Sequence, residues 1–279
     1  IPYVRVENGR LAWARMVARW YGNPEKKLRF IGVTGTDGKT TTTNLIYQIL
    51  KADGRKVMMI STISAVVGER IIDTGLHTSS PDPDIIWQLL DEAVKVGVTD
   101  VVLEVTSHAL DQDRFGEIEF EVGVLTNLAH DHLDYHKTIE NYALAKAKLF
   151  QKSKVSVLNG KANQLDLFRK KVKGKVVLYK GGEAKGIKTS LVGEYNRENI
   201  AAAMAVGRES GIDLLTIKRG IEKVRDLPGR FQIIENKLGI NIVVDFAHHI
   251  VLVRDGIGEK DLITMVPETL VAPLQEHLE

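Results

Sequence analysis

The 279-residue sequence has no cysteine, which rules out a disulfide scaffold, a thiolate metal site and a cysteine nucleophile. No apolar run reaches the roughly 18 residues of a membrane span, and the opening residues lack the apolar core of a signal peptide. The cytoplasm is therefore the expected compartment. Charge of one sign is also lacking: 38 basic against 36 acidic residues leave a formal net charge of +2, with no broad basic footprint for nucleic acid. Neither nucleic acid nor a membrane is an expected partner, and oligomeric state is not legible. What is present is ordinary: 44% hydrophobic and 27% charged residues, close to soluble globular averages. The length allows roughly one to two domains. Ile1 is not a natural start, so the N-terminus is expected upstream.

Apolar Leu11, Ala12, Met16, Val17 and Trp20 at helical spacing predict a lead-in helix that ends at the turn Tyr21-Gly22-Asn23-Pro24. Buried strands are expected at 28–34, 56–61, 99–105, 122–126, 155–159 and 175–179. Helices are expected at 41–52, 84–96, 138–151, 163–172, 196–209 and 214–223. Residues 63–67 and 70–73, joined by Gly68-Glu69, read as a hairpin. Alternation of strands and helices implies an α/β fold with a mainly parallel, doubly wound sheet.

Between the strand at 28–34 and the helix at 41–52 stands Gly35-Thr36-Asp37-Gly38-Lys39-Thr40. Glycines at 35 and 38 allow a tight turn that presents amides to phosphate oxygens, and the next helix adds its positive N-terminal end. Lys39 is placed for the β- and γ-phosphates and Thr40 for a Mg²⁺ ligand. The longer GxxxxGK[ST] pattern would need glycine where Val33 stands, so the match is to a shorter GTxGKT form. By itself the loop says only that a nucleoside triphosphate binds.

The loop heads a series: GVTGTDGKTTT from 32, TSSPDP at 78–83, EVTSHALDQDR at 104–114, TNLAHDHLDYH at 126–136, NYALAKAKLF at 141–150, EYNRENIAAAMA at 194–205, LPGRF at 227–231 and VVDFAH at 243–248. In this order the motifs resemble the Mur ligase family, and SSPDP with SHALDQDR is most similar to its MurE-type members. The resemblance implies the P-loop NTPase-like central domain of that family. It also implies ATP and Mg²⁺ as cofactors and an ATP-dependent amide ligation through an acyl phosphate, with a UDP-N-acetylmuramoyl-peptide and an amino acid as substrates in peptidoglycan precursor synthesis. Residues 1–27 then correspond to a linker helix from a first domain, 28–236 to the central domain and 237–279 to a truncated or foreign segment.

Residue by residue, the resemblance implies nucleotide contacts from Gly35, Thr36, Asp37, Gly38, Lys39, Thr40 and Thr41, with Asn199, Arg230 and Asp245 toward adenine and ribose. Glu104 and His132 fall where the family holds Mg²⁺. Lys146 falls where a lysine is carbamylated, although a lone helix lysine would ordinarily lie on the surface. Lys39, Glu104, His132 and Lys146 are the implied catalytic set, and Thr40, Glu104, His132 and Lys146 the implied metal set. Ser79, Ser80, Thr106, Gln112 and Arg114 match positions that hold the uridine-linked substrate, for which the arginine fork suits a diphosphate or carboxylate.

Asp37 departs from the asparagine common at its position, and Thr106 replaces serine. His77, His108, His130, His136, His248 and His249 lack metal-ligand spacing and read as structural. After His248 the family's third domain, which binds the amino acid, would be expected. Instead 250–279 resembles the hairpin and following helix of integron-type tyrosine recombinases, without their catalytic residues. A gene fusion, a cloning artefact and a truncated third domain capped by unrelated sequence all fit that tail. A non-catalytic nucleotide-binding module and a folylpolyglutamate- or cyanophycin-type ligase stand as alternative functions.

Overall fold

The computed structural model describes residues 3–61, 64–72, 80–225, 227, 230, 232–234, 241–245, 250–254 and 262–265. The first part of the chain runs through α1 (Gly9–Trp20), β1 (Arg29–Thr34), α2 (Lys39–Ala52), β2 (Val57–Ile60), β3 (Ala65–Val67), β4 (Arg70–Ile72), α3 (Pro83–Lys95) and β5 (Asp100–Glu104). It continues with α4 (Ser107–Asp111), β6 (Phe120–Leu125), α5 (Leu133–His136), α6 (Ile139–Gln151), β7 (Ser153–Asn159), α7 (Leu165–Lys171), β8 (Lys175–Tyr179), α8 (Glu194–Glu209) and α9 (Leu214–Glu222). Strands β9 (Gln232–Ile234), β10 (Asn241–Asp245), β11 (Ile250–Arg254) and β12 (Leu262–Met265) follow. By contacts the chain divides into two compact units, Ile1–Lys188 with Gly193–Lys223, and Thr189–Val192 with Val224–Glu279.

In the first unit the eight strands lie in the order β4-β3-β2-β5-β1-β6-β7-β8. In this order all neighbours from β2 through β8 are parallel, whereas β3 pairs antiparallel with both β2 and β4. The reason is visible in the sequence: β2 and the interiors of β1, β5 and β6 are largely apolar, as strands covered on both faces require, and they are buried except at Arg29, with Glu121 half-buried. Phe30, Phe115, Phe120, Leu149, Phe150 and Phe168 fill one core.

Central β1 pairs with β5 on one side, Val33 opposite Glu104, and with β6 on the other, Thr34 opposite Leu125. The loops that leave these strands therefore emerge together at the C-terminal edge of the sheet, where open α/β sheets bind ligands.

Helix α2 carries the glycine loop and is held from behind by α8 and α9. The α9 contact is backbone-close, because a Cβ on Gly220 would sit 2.5 Å from Ile49 Cα. Gly220→Ala is expected to cost about 2 kcal/mol through this overlap, read as a lower midpoint in urea. An unchanged midpoint would mean that α9 moves away freely.

Helix α1 forms as expected, but the apolar spacing does not name its buried face. Ala14 and Ala18 pack inward, while Met16 and Trp20 are exposed, Trp20 by 85%. Small alanines let α1 lie close against α3 and the buried Trp87; larger side chains point away. In the second unit β9 to β12 form an antiparallel sheet in the order β12-β11-β10-β9. The two strand-like runs of the tail thus pair with each other, Val251 opposite Thr264, and β11 also pairs with β10.

Candidate active site

The loop between β1 and α2 turns through Gly35 (φ 155°) and Gly38 (φ 76°), backbone that side-chain-bearing residues rarely adopt. A Cβ at Gly35 would collide with Thr126 Oγ1, and one at Gly38 with Asn199 Oδ1. Both glycines are thus required twice, by conformation and by space. Lys39 opens α2 and donates from Nζ to Thr36 O at 2.7 Å. Thr40, buried in the same first turn, donates to Glu104 Oε2 at 2.9 Å. Thr41 is buried beside it. Glu104 ends β5 at 2% exposure, so a carboxylate and a hydroxyl meet in a buried place at the head of the phosphate loop.

Lys146 overturns the ordinary expectation for a lysine on a helix. It is 1% exposed and donates to Gly35 O at 2.7 Å, and its Nζ lies 4.3 Å from the Tyr142 ring centroid. Burial, then the charge of Lys39, holds its pKa well below 10.5; Asp131, Glu104 and Asp37 pull the other way without prevailing. Burial likewise pushes the Tyr142 phenol up to about 12, so it remains a protonated donor. Its hydroxyl is 3.3 Å from Thr36 Oγ1.

His132 takes a left-handed conformation (φ 51°) just before α5, with Nε2 3.4 Å from Asp131 Oδ2. Its ring lies 4.8 Å from that of His108 and 6.1 Å from that of Tyr142. His136 is buried against Ser107 Oγ at 3.0 Å, and burial lowers the pKa of both His108 and His136. Among the described residues no three His, Asp or Glu side chains are gathered as a ready-made metal cluster. The Thr40–Glu104 pair, two hard oxygen donors next to the phosphate loop, does suit Mg²⁺, which keeps waters and phosphate oxygens in its shell.

Ser80, Thr106, Gln112 and Arg114 form one network beside Glu104. Ser80 Oγ donates to Glu104 O at 3.0 Å and accepts from the Thr106 amide at 3.2 Å. Thr106 Oγ1 caps α4 through the Ala109 amide. Arg114 donates to Gln112 Oε1, at 2.9 Å, and to Ser80 O, at 2.7 Å, with Asp82 Oδ1 at 3.3 Å. Ser79, His77, His248 and His249 lie outside the described residues.

Asn199 is buried beneath Gly38, accepting from Thr42 Oγ1 and donating to Asn196 Oδ1. Arg230 and Asp245 belong to the second unit: the Arg230 amide donates to Leu227 O, and Asp245 ends β10. Residues that sequence reasoning passed over are Thr126, Asn127, Asp131 and Tyr142. Their signal was present, since Thr126-Asn127 directly follows a buried strand and Tyr142 lies one helical turn before Lys146.

A family model described as the Mur ligase middle domain matches residues 33–180. The chain belongs to the Mur ligase family. It is 38% identical over 275 residues to the UDP-N-acetylmuramoyl-L-alanyl-D-glutamate--2,6-diaminopimelate ligase of Clostridium tetani, covering 89% of this chain and 56% of that protein. The enzyme of the same name from Aquifex aeolicus is 37% identical, with the same coverage. The chain thus spans about half the length of these relatives. A solved structure of a ligase of that name superposes with a TM-score of 0.71 at 28% identity, over 81% of this chain and 53% of the other. FolC from E. coli in complex with DHPP and ADP shares the fold, with a TM-score of 0.67 at 20% identity over 89% of this chain and 68% of the other. Among the described residues no helix is long and apolar enough to cross a membrane.

Proposed function

We propose that this chain is the nucleotide-binding centre of an ATP-dependent amide ligase of peptidoglycan precursor synthesis. Its substrates in this reading are a UDP-N-acetylmuramoyl-dipeptide and an amino acid, with 2,6-diaminopimelate, named in the relatives, as the first to test. The observation that carries the reading is the convergence on one loop of Lys39, the Thr40–Glu104 pair and the buried Lys146. Nothing comparable is needed to stabilise a fold, because each of these groups is costly to bury.

In the reaction, a substrate carboxylate oxygen attacks the γ-phosphorus of ATP and ADP departs, giving an acyl phosphate. The amine then attacks the acyl carbon, the amide bond forms and inorganic phosphate leaves. Phosphoryl transfer depends on positioning and charge neutralisation. Lys39 turns from Thr36 O to the β- and γ-phosphates, and the amides at the start of α2 bind their oxygens. Thr40 and Glu104 would hold Mg²⁺, which supplies charge neutralisation when bound. His132, just before α5, and a carbamylated Lys146 in α6 would face the same phosphate. Arg114 and Gln112, in the network beside Glu104, would take the acidic arm of the substrate. Incubation with ATP, Mg²⁺ and dipeptide substrate labelled with ¹⁸O in its carboxylate tests this: the label should appear in inorganic phosphate. ATP binding without any label transfer would favour a non-catalytic nucleotide module, and transfer only from a folate substrate would favour the folylpolyglutamate class.

Asp37 has its own consequence in this reading. Its side chain is exposed on the loop, a negative charge near where phosphates bind. Asp37→Asn should tighten ATP binding roughly fivefold in EDTA and much less with Mg²⁺ present, since the metal already offsets phosphate charge. Equal affinities of both proteins in EDTA would show that the carboxylate points away from the nucleotide.

A further inference from the structure

The loop is not held by its own glycines alone. The amides of Thr36 and Asp37 both donate to one atom, Asn127 Oδ1, at 3.0 and 2.9 Å. The Thr36 amide also lies 3.3 Å from Asn127 O. Thr126 Oγ1 donates to Asp37 O at 2.6 Å, and the Ala129 amide donates to Thr36 Oγ1 at 2.9 Å. Residues 126–129, leaving the C-terminal end of β6, therefore hold the loop by the amides of Thr36 and Asp37 and by the Asp37 carbonyl.

We propose that segment 126–129 is a clamp that fixes the phosphate loop in its binding conformation before nucleotide arrives, with Asn127 as its central positioning residue. Adjacent amides pointing at one acceptor form a concave nest. With these two satisfied by a neutral carboxamide, the phosphates are left to the amides that open α2, which have no intrahelical acceptor. Neutrality matters, because a carboxylate at this position would set negative charge against the triphosphate. The clamp also couples two parts of the site. The same stretch continues into Asp131 and His132, and Thr36 Oγ1 reaches the Tyr142 hydroxyl above Lys146, so disturbing it should loosen the loop and the Lys146 side together.

The proposal rests on the nucleotide reading for its consequence, but not for its geometry, and two measurements separate them. In nucleotide-free protein, amide hydrogen exchange at Thr36 and Asp37 should be slow, and Asn127→Ala should abolish that protection while amides of β1 stay protected. In calorimetry with Mg·ATP, Asn127→Ala should weaken binding at least tenfold, and so should Thr126→Val, with Thr126→Ser restoring near-normal affinity. All three variants should melt near the wild type, since a collapsed fold would lower melting and binding together. Unchanged protection at Thr36 and Asp37 in Asn127→Ala would overturn the clamp. Lost protection with unaltered Mg·ATP affinity would overturn its role in binding. Should the wild type fail to bind Mg·ATP, the nucleotide reading falls and the exchange result still decides the clamp.

Discussion

Lys39→Ala should lower Mg·ATP affinity about 100-fold, or roughly 2.7 kcal/mol, because a charge-assisted contact to the β- and γ-phosphates is removed from a site built around it. The fold should be indifferent. Among the described residues Lys39 donates to a carbonyl, Thr36 O, so truncation leaves no buried charge behind and melting should shift little. Thr40→Ala is a less clean probe, since it also takes a donor from the buried Glu104. Calorimetry on Lys39→Ala with a parallel far-ultraviolet spectrum checks the expectation. Wild-type affinity in a folded Lys39→Ala protein would remove the loop from nucleotide binding.

Lys146→Met should separate chemistry from binding and from stability. Phosphoryl transfer is expected to fall by about 10³-fold or more, the scale of losing a positioned charge in a catalytic site, while Mg·ATP affinity stays within a few-fold. Stability should rise at neutral pH, by about 1 kcal/mol, because an amine whose partners are a carbonyl and an aromatic ring gives way to an apolar side chain of similar length.

The sign with pH follows from the depressed pKa. Between that value and the ordinary 10.5, the unfolded chain binds the proton and the native one does not, so wild-type stability climbs as pH rises through this window and levels off above it. The stability gap to Lys146→Met should close accordingly in urea melts without carbon dioxide.

Carbamylation needs an amine without its extra proton, the form that burial of Lys146 favours. Its lone pair forms a bond to the carbon of CO₂ and one proton leaves to solvent, giving an anion beside Gly35 and the Tyr142 ring. With ¹³C-bicarbonate a carbamate resonance should appear in wild type, grow with Mg²⁺ and be absent from Lys146→Met. A resonance equally strong in both proteins would place the modification elsewhere.

Much of this is written locally in the chain. The β1, β2, β5 and β6 strands are legible because strands buried on both faces need mainly apolar interiors. Thr138 marks the start of α6 because its hydroxyl caps it, accepting from the Asn141 amide. The glycine loop is legible because its two backbone conformations admit little else. What escapes a linear reading depends on contacts distant in sequence. The inward turn of Ala14 and Ala18 is decided by Trp87 and α3. The burial of Lys146 is decided by Gly35, which lies 111 residues away. The service of Asn127 to the loop spans 91 and 90 residues, and no periodicity encodes it. Helices α4 and α5 are too short for a 3.6-residue period to declare itself.

The most direct test of the account is electron density for crystals grown with Mg²⁺, bicarbonate and a non-hydrolysable ATP analogue. The account predicts the triphosphate along the start of α2 with Lys39 on its terminal phosphates, Mg²⁺ between Thr40 and Glu104, and three extra atoms on Lys146 Nζ. A triphosphate bound away from this loop, or a plain Lys146 amine still on Gly35 O with the nucleotide in place, would contradict it.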